Sequence, residues 1–277
     1  MSSSFFRKFT RQAEPSAGAA TAGASEGDEA LTLPAALALR DTDEDWKIIG
    51  KKDPYFGVLT DPRFHKRNLT DQVRSDFFNS GDSEIDALFD RIRAIFGGFN
   101  PRSALDFGCG VGRLTRPLAQ LCGDAVGVDV SEGMLAEARK HNRTSAVFMD
   151  HIPARTFDWV VSYIVLQHVT PDRGYVLIGD LLKAVGPGGG ISLHVTFART
   201  APHATDAGTR LVIGDGKVWP AGDTADIARV PAGIMIMHDY DLGRVIGLFY
   251  AHGFNSLHLD QTDHGGAIGA VIHARRG

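Results

Sequence analysis

Apolar residues recur at two different periods along this chain, and the period changes near residue 101. Upstream, Ile85, Leu88, Phe89, Ile92, Ile95 and Phe96 fall three or four positions apart, the spacing of one helical face. Ser83 stands ahead of Glu84 and Asp86, a cap followed by first-turn acids, so the pattern predicts a helix opening at Ser83 and stopped by Gly97-Gly98. Downstream, short β-branched runs alternate with helical stretches. Strands are predicted at 103–107, 125–129, 145–149, 157–164, 190–197, 256–260 and 267–273, with helices at 113–121, 132–141, 172–185 and 242–252. Such alternation implies a mostly parallel sheet covered on both faces. Right-handed crossovers then give a doubly wound α/β fold, whose ligand lies beyond the carboxyl ends of the strands.

The pattern divides the chain. Residues 1–40, rich in Ala, Gly and Ser, are read as a disordered tail. Arg7, Lys8 and Arg11 beside Phe5, Phe6 and Phe9 also fit a transit peptide or a segment that grazes a membrane. Residues 41–100 form a mainly helical lead-in or cap, and 101–277 the core domain. Within the core, 198–236 is an insertion after the fifth strand. Its stretch Arg210 to Trp219 reads as a hairpin turning at Asp215-Gly216, expected to act as a lid over the acceptor.

Composition narrows the classes. The net charge of −4 gives no overall basic field for nucleic acid, so no nucleic-acid partner is expected. No uncharged apolar run reaches the roughly 18 residues of a membrane span. The two cysteines, Cys109 and Cys122, form no CxxC pair, which fits a reducing compartment, and a cytoplasmic location is expected. Eleven histidines include no HExxH and no evident triad, so no metal is expected. Glycine is in excess, 32 in 277 residues against a usual share of roughly 7%.

Part of that excess sits where chemistry is expected. The first predicted strand ends in Asp106-Phe107-Gly108-Cys109-Gly110-Val111-Gly112-Arg113, and a helix follows. Glycine lets the backbone turn tightly and approach a ligand that a Cβ would hold off. The spacing is G-x-G-x-G; arginine at 113 breaks the dinucleotide fingerprint, and no P-loop occurs. Asp129, 21 positions after Gly108, closes the second strand, where an acid can hold the vicinal hydroxyls of a ribose. Met134, in the first turn of the following helix, is a candidate for a purine face, with a core position as the alternative. Asp129 and Ser131 are alternative caps for the helix near Glu132.

These segments together resemble class I S-adenosylmethionine-dependent methyltransferases, in the branch with small-molecule or sugar acceptors. Leu105 to Arg113 and Gly127-Val128-Asp129-Val130-Ser131 resemble the family's first two motifs. Phe148-Met149-Asp150, Phe157 to Ser162, Val165 to Val169, and Val185 to Gly189 resemble later segments in the same order. The resemblance implies a seven-stranded sheet of order 3-2-1-4-5-7-6 with the last strand antiparallel. It implies S-adenosyl-L-methionine as cofactor, bound by Asp106, Gly108, Cys109, Gly110, Gly112, Arg113, Asp129, Val130, Met134, Asp150, His151, Ser162 and Tyr163. Asp106 would orient the ammonium, Asp129 the ribose and Asp150 the adenine amine. The sequence departs from the family at His151-Ile152-Pro153, where alanine and an apolar residue are commoner, and the stretch to Phe157 is short.

Methyl transfer needs alignment of nucleophile, methyl and sulfur, and a hydroxyl acceptor also needs a base. The candidates are His168 and His238, with Tyr240 as a helper; His194, inside the fifth strand, is expected to be buried and hydrogen-bonded. Asp53-Pro54-Tyr55 is read as a turn. Phe77-Phe78-Asn79-Ser80-Gly81 adds a faint likeness to methyltransferases of polysaccharide and natural-product pathways. The expected function is methyl transfer to oxygen of a small molecule; the alternatives are a protein methyltransferase and a non-enzymatic cofactor-binding scaffold. Acceptor identity and oligomeric state are not fixed by the sequence.

Overall fold

In a computed structural model the described residues are 41–200, 211–214, 217–220 and 232–277. The predicted tail and the Asp215-Gly216 turn lie outside them. The lead-in contains α1 (Thr42–Lys52), α2 (Pro54–Val58), two 3-10 turns, and the long α3 (Asp71–Phe96). Thr70, not Ser83, caps α3: Thr70 Oγ1 accepts the Val73 amide at 3.2 Å. Ser83 is interior, and its hydroxyl donates to the Asn79 carbonyl one turn back. The helix continues through Gly81 because that glycine packs on the Arg113 carbonyl, where a Cβ would not fit. Asp53-Pro54-Tyr55, read as a turn, instead starts a helix, with only Asp53 between α1 and α2. Pro54 opens α2, and the Asp53 carboxylate holds His65 Nδ1 at 2.7 Å and accepts the Lys66 amide at 2.9 Å.

The core follows as β1 (Ser103–Phe107), α4 (Thr115–Cys122), β2 (Asp124–Val128), α5 (Glu132–His141), β3 (Val147–Met149), β4 (Phe157–Ser162), α6 (Pro171–Lys183) and β5 (Val185–Arg199). The insertion carries β6 (Leu211–Gly214), β7 (Lys217–Pro220) and β8 (Met235–Ile236), and α7 (Leu242–Ala251), β9 (Leu257–Asp263) and β10 (Ala267–Arg275) complete the chain. The main sheet has the order β3-β2-β1-β4-β5-β10-β9. All neighbours are parallel except β10, which runs antiparallel to both β5 and β9. This is the expected 3-2-1-4-5-7-6 arrangement once the insertion strands are set aside. Those strands form a separate small antiparallel sheet, β7-β6-β8, which includes the predicted hairpin.

Two boundaries moved for physical reasons. The helix expected at 113 starts at Thr115, because residues 108–114 are used up by the turn. β5 starts at Val185, since Gly186 to Gly189 form an irregularity between the pairs Phe157↔Val185 and Trp159↔Gly190. Alternation along each strand builds both faces of the core. Leu105, Val160, Leu193 and Ile272 meet Ile178, Leu182, Val245 and Phe249 of α6 and α7. Ala104, Trp159, Val161 and Val271 meet Ile85, Leu88, Ile92 and Leu118 of α3 and α4. A third cluster, with Ile49, Tyr55, Phe77 and Met134, fastens the lead-in over the carboxyl ends of β1 and β2.

Candidate active site

The turn after β1 is built on glycines at φ +76° (Gly108), +53° (Gly110) and +82° (Gly112). The Gly108 and Cys109 amides both donate to the Val128 carbonyl, at 2.7 and 2.9 Å, tying the turn to β2. Gly110 donates to Asp129 Oδ2 at 2.9 Å, and the Ser131 amide donates to Asp129 Oδ1 at 2.9 Å. Burial raises the Asp129 carboxyl, and these two amides oppose the shift. That second bond closes a turn just ahead of α5, and the Ser131 side chain makes no capping bond of its own. Cys109 is buried, with Sγ 3.6 Å from the Gly110 carbonyl and its thiol pushed up by burial, so it offers the turn only backbone.

Beneath the turn, Asp106 is almost fully enclosed and accepts the Thr115 hydroxyl at 2.6 Å. Burial pushes its carboxyl up to about 6. Arg113 is also buried, and desolvation lowers it. Glu84 and Asp106 oppose that lowering electrostatically, and Nη1 donates to Ser80 Oγ at 3.3 Å. Ser80 and Gly81 of α3 therefore stand directly against the turn.

Two buried hydroxyls flank this cradle without a hydrogen-bond partner among the described residues: Ser131 Oγ at the start of α5 and Ser162 Oγ at the end of β4. A buried polar atom left unpaired costs roughly 1–3 kcal/mol. Such atoms grouped around a glycine turn fit a polar ligand. Just past Ser162, Ile164 has φ +59°. A β-branched residue in that region is strained, as is common where a backbone is shaped for function.

The lead-in roofs the cradle. A Cβ on Gly110 would lie 2.5 Å from Val58 Cγ2, and one on Gly133 would meet the Gly50 carbonyl carbon and oxygen at 2.7 Å. Met134 is buried under this roof beside Gly57, Ile49 and Tyr55. It is therefore a packing residue, the core alternative, and presents no open face to a purine. Val130 remains exposed and lines a groove with Lys47, Lys51 and Glu132. Asp150 and His151 are exposed and paired with each other, Nδ1 to Oδ1 at 2.7 Å. The structure leaves them apart from the buried cluster, where the departure from the family motif had already weakened their case.

The candidate bases differ in geometry. His168 Nδ1 lies 3.0 Å from the Ile236 carbonyl, which fixes the proton on Nδ1. Its Nε2 faces the Gln167 amide nitrogen at 3.3 Å, and its ring meets Trp46 edge-on at 4.9 Å. Burial pushes its pKa down to about 4. His238 is buried; its backbone amide donates to the Gln167 carbonyl at 2.6 Å and its carbonyl accepts Thr196 Oγ1 at 2.8 Å. Tyr240 is no helper of catalysis. Its hydroxyl sits 2.8 Å from the Leu166 carbonyl and 2.9 Å from that of Val169, its ring packs on Tyr175, and burial raises the phenol. It anchors the 166–169 turn that carries His168. His194 is buried, as expected, with Nε2 3.0 Å from Thr262 Oγ1.

Residues 104–189 match the family profile described as "Methyltransferase domain". An amino pentose methyltransferase from Micromonospora echinaspora shares the fold, with a TM-score of 0.52 at 20% identity over 77% of this chain and all of that one (100%). Magnesium protoporphyrin IX methyltransferase from Synechocystis PCC 6803 gives 0.50 at 20% identity, over 87% of this chain and 99% of that one. In sequence, the ubiquinone biosynthesis O-methyltransferase of Dinoroseobacter shibae is 33% identical over 147 residues, 50% of this chain and 56% of that protein. That of Methylococcus capsulatus is 36% identical over 99 residues, 32% of this chain and 40% of that protein. The chain spans about half the length of the curated relatives it first matches.

Sequence reasoning did not assign site roles to several residues around the turn. Thr115, which binds Asp106, and Gln167, beside His168, carry no pattern of their own. Val58 comes to the site through tertiary packing. Ser80-Gly81 was visible only within a short stretch of faint likeness.

Proposed function

We propose that the protein is a methyltransferase that takes S-adenosyl-L-methionine and methylates an oxygen of a small-molecule acceptor. The observation that carries the reading is the cradle: a three-glycine turn stapled by Asp129 and flanked by the unpaired hydroxyls of Ser131 and Ser162. The O-methyltransferase names of the sequence relatives support oxygen as the atom methylated.

The donor set fits a nucleoside with an amino-acid tail. Asp129 would hold the ribose hydroxyls, exchanging part of its bonding to the Gly110 and Ser131 amides. Asp106 and the glycine-turn backbone would take the amino-acid portion, with Arg113 beside them. Ser162 and Tyr163 would face the reacting end. When bound, the cofactor supplies a methyl on a sulfonium, whose leaving group is neutral and needs no acid. The chain's own contribution is alignment, which can supply about 7–11 kcal/mol, and exclusion of water by the lead-in. His168 is fixed as the Nδ1–H tautomer, and the Gln167 amide must turn away from Nε2 before that nitrogen can receive a hydroxyl proton. His238 is the second candidate base.

Among the described residues no helix is long and apolar enough to cross a membrane. No group of three or more His, Cys, Asp or Glu among them could hold a metal. The test is methyl transfer from labelled S-adenosylmethionine to a panel of phenols and glycosides, with ether products identified by mass spectrometry. Products methylated only at nitrogen or carbon would contradict oxygen as the target.

A further inference from the structure

α1 crosses the start of α5 at a place where both helices bring a glycine. A Cβ on Gly50 would overlap Ser131 Oγ, and one on Gly133 would press on the Gly50 carbonyl. One turn before Gly50, Trp46 lies edge-on to His168, with ring centres 4.9 Å apart. One turn of α1 therefore covers the cradle and the next covers the candidate base. Asp43, near the start of α1, also raises the Asp129 carboxyl, although burial is the larger cause. Ser131 has no exposed surface. Its Oγ, unpaired and seated against Gly50, meets a ligand only when α1 lifts.

The two short helices of the roof are held differently. α2 buries Tyr55 and Phe56, and Tyr55 crosses Phe77 with ring centres 5.1 Å apart. The Asp53 carboxylate ahead of it is bonded to His65 and to the Lys66 amide. α1 fully buries one large apolar side chain, Ile49, while Trp46 and Ile48 are half-covered. Polar bonds tie down its start. Arg173 Nη1 of α6 donates to Asp43 Oδ1 at 2.6 Å, and the Gly233 amide donates to Asp45 Oδ1 at 2.7 Å. The first is a surface pair, with the Arg173 side chain 46% exposed. At the other end, Asp53 alone separates α1 from α2. Little buried apolar surface, polar ties at one end and a one-residue joint at the other mark an element that opens before the core does.

We propose that α1 is a gate over the cradle: it pivots at Asp53, is latched by the Arg173–Asp43 pair, and lifts from α5 to let S-adenosylmethionine enter and leave. The proposal rests on the methyltransferase reading above for the identity of the ligand. Trp46 travels with the gate, so lifting it also uncovers His168. The cofactor side and the acceptor side open together.

The test follows uptake and release of S-adenosylhomocysteine by the full chain in stopped flow. Lys47 and Glu132 are exposed and line one groove between α1 and α5, while Cys109 and Cys122 are both buried. A short bismaleimide therefore joins Lys47→Cys to Glu132→Cys and pins the gate shut. Association is expected to fall about tenfold or more on linking, and to stay at the wild-type rate in the unlinked double variant. Arg173→Ala removes the latch. Association and release are both expected to rise about threefold, the worth of one half-exposed ion pair, with affinity within about twofold of wild type. A residue that gripped the ligand would instead change release and affinity and leave association alone. Added salt should speed wild type toward the variant and leave the variant unmoved. Uptake by the linked protein at the unlinked rate overturns the proposal. So do Arg173→Ala rates equal to wild type at low salt, or a change in release alone. If S-adenosylhomocysteine does not bind wild-type protein at all, the methyltransferase reading itself fails, and the gate with it.

Discussion

Asp129 Oδ2 accepts the Gly110 amide at 2.9 Å while its Oδ1 accepts that of Ser131, so one carboxylate staples the turn after β1 to the start of α5. The staple demands a left-handed residue at Gly110, at φ +53°. Gly110→Ala is expected to lose about 1–2 kcal/mol from backbone strain, plus the contact with Val58. Chemical denaturation measures both parts: adding Val58→Ala should recover only the contact. A Gly110→Ala protein as stable as wild type would contradict the turn geometry.

Asp106 gives a pH signature. Its folded carboxyl is pushed up to about 6 from 3.8, so between about pH 4 and 6 the folded state holds a proton that the unfolded chain has released. Stability from this group therefore falls as pH rises through that window, by about 3 kcal/mol, and is flat above it. Asp106→Asn should remove this slope when urea midpoints are compared from pH 4 to 7. Parallel profiles for the two proteins would refute the raised carboxyl.

The legible part of the structure was the part encoded locally. Strand runs such as Ala104-Leu105 and Val160-Val161, and the glycine turn with Asp129, carry their patterns within a few residues. Sheet order came from resemblance and was met in full. Errors arose where distant packing decides the outcome. The helix expected to open at Ser83 begins about three turns earlier, after Thr70, and passes Gly81 where that residue lies against the Arg113 carbonyl. Met134 is buried because α1 and α2 fold over it, which no local spacing signals. Tyr240 stands near the candidate bases in sequence, yet its hydroxyl is consumed by two carbonyls 70 or more positions away.

Tyr240 separates anchoring from catalysis. Tyr240→Phe leaves the Leu166 and Val169 carbonyls without their hydroxyl, and a loss of about 1–2 kcal/mol is expected in thermal or urea unfolding. The pH profile of kcat should keep its shape. A profile that loses one limb in Tyr240→Phe would restore the tyrosine as an acid or base.

His168 is expected to stay neutral. With its pKa pushed down to about 4, it titrates well below the usual histidine range. Its folded state therefore gains nothing from protonation, and its stability contribution is lost as pH falls from about 6.5 toward 4. Nitrogen NMR at pH 6 should show the Nδ1–H tautomer donating to Ile236. An imidazolium signal at pH 6 would contradict the enclosure described.

The central claim is that the Asp129-stapled glycine turn holds S-adenosylmethionine, and calorimetry with S-adenosylhomocysteine tests it most directly. Wild-type protein is predicted to bind one equivalent, and Asp129→Ala to lose that binding by about a hundredfold while unfolding cooperatively, since a charged hydrogen-bonding group is removed from a partly buried site. No heat of binding with folded wild-type protein, or undiminished affinity in Asp129→Ala, would contradict the account.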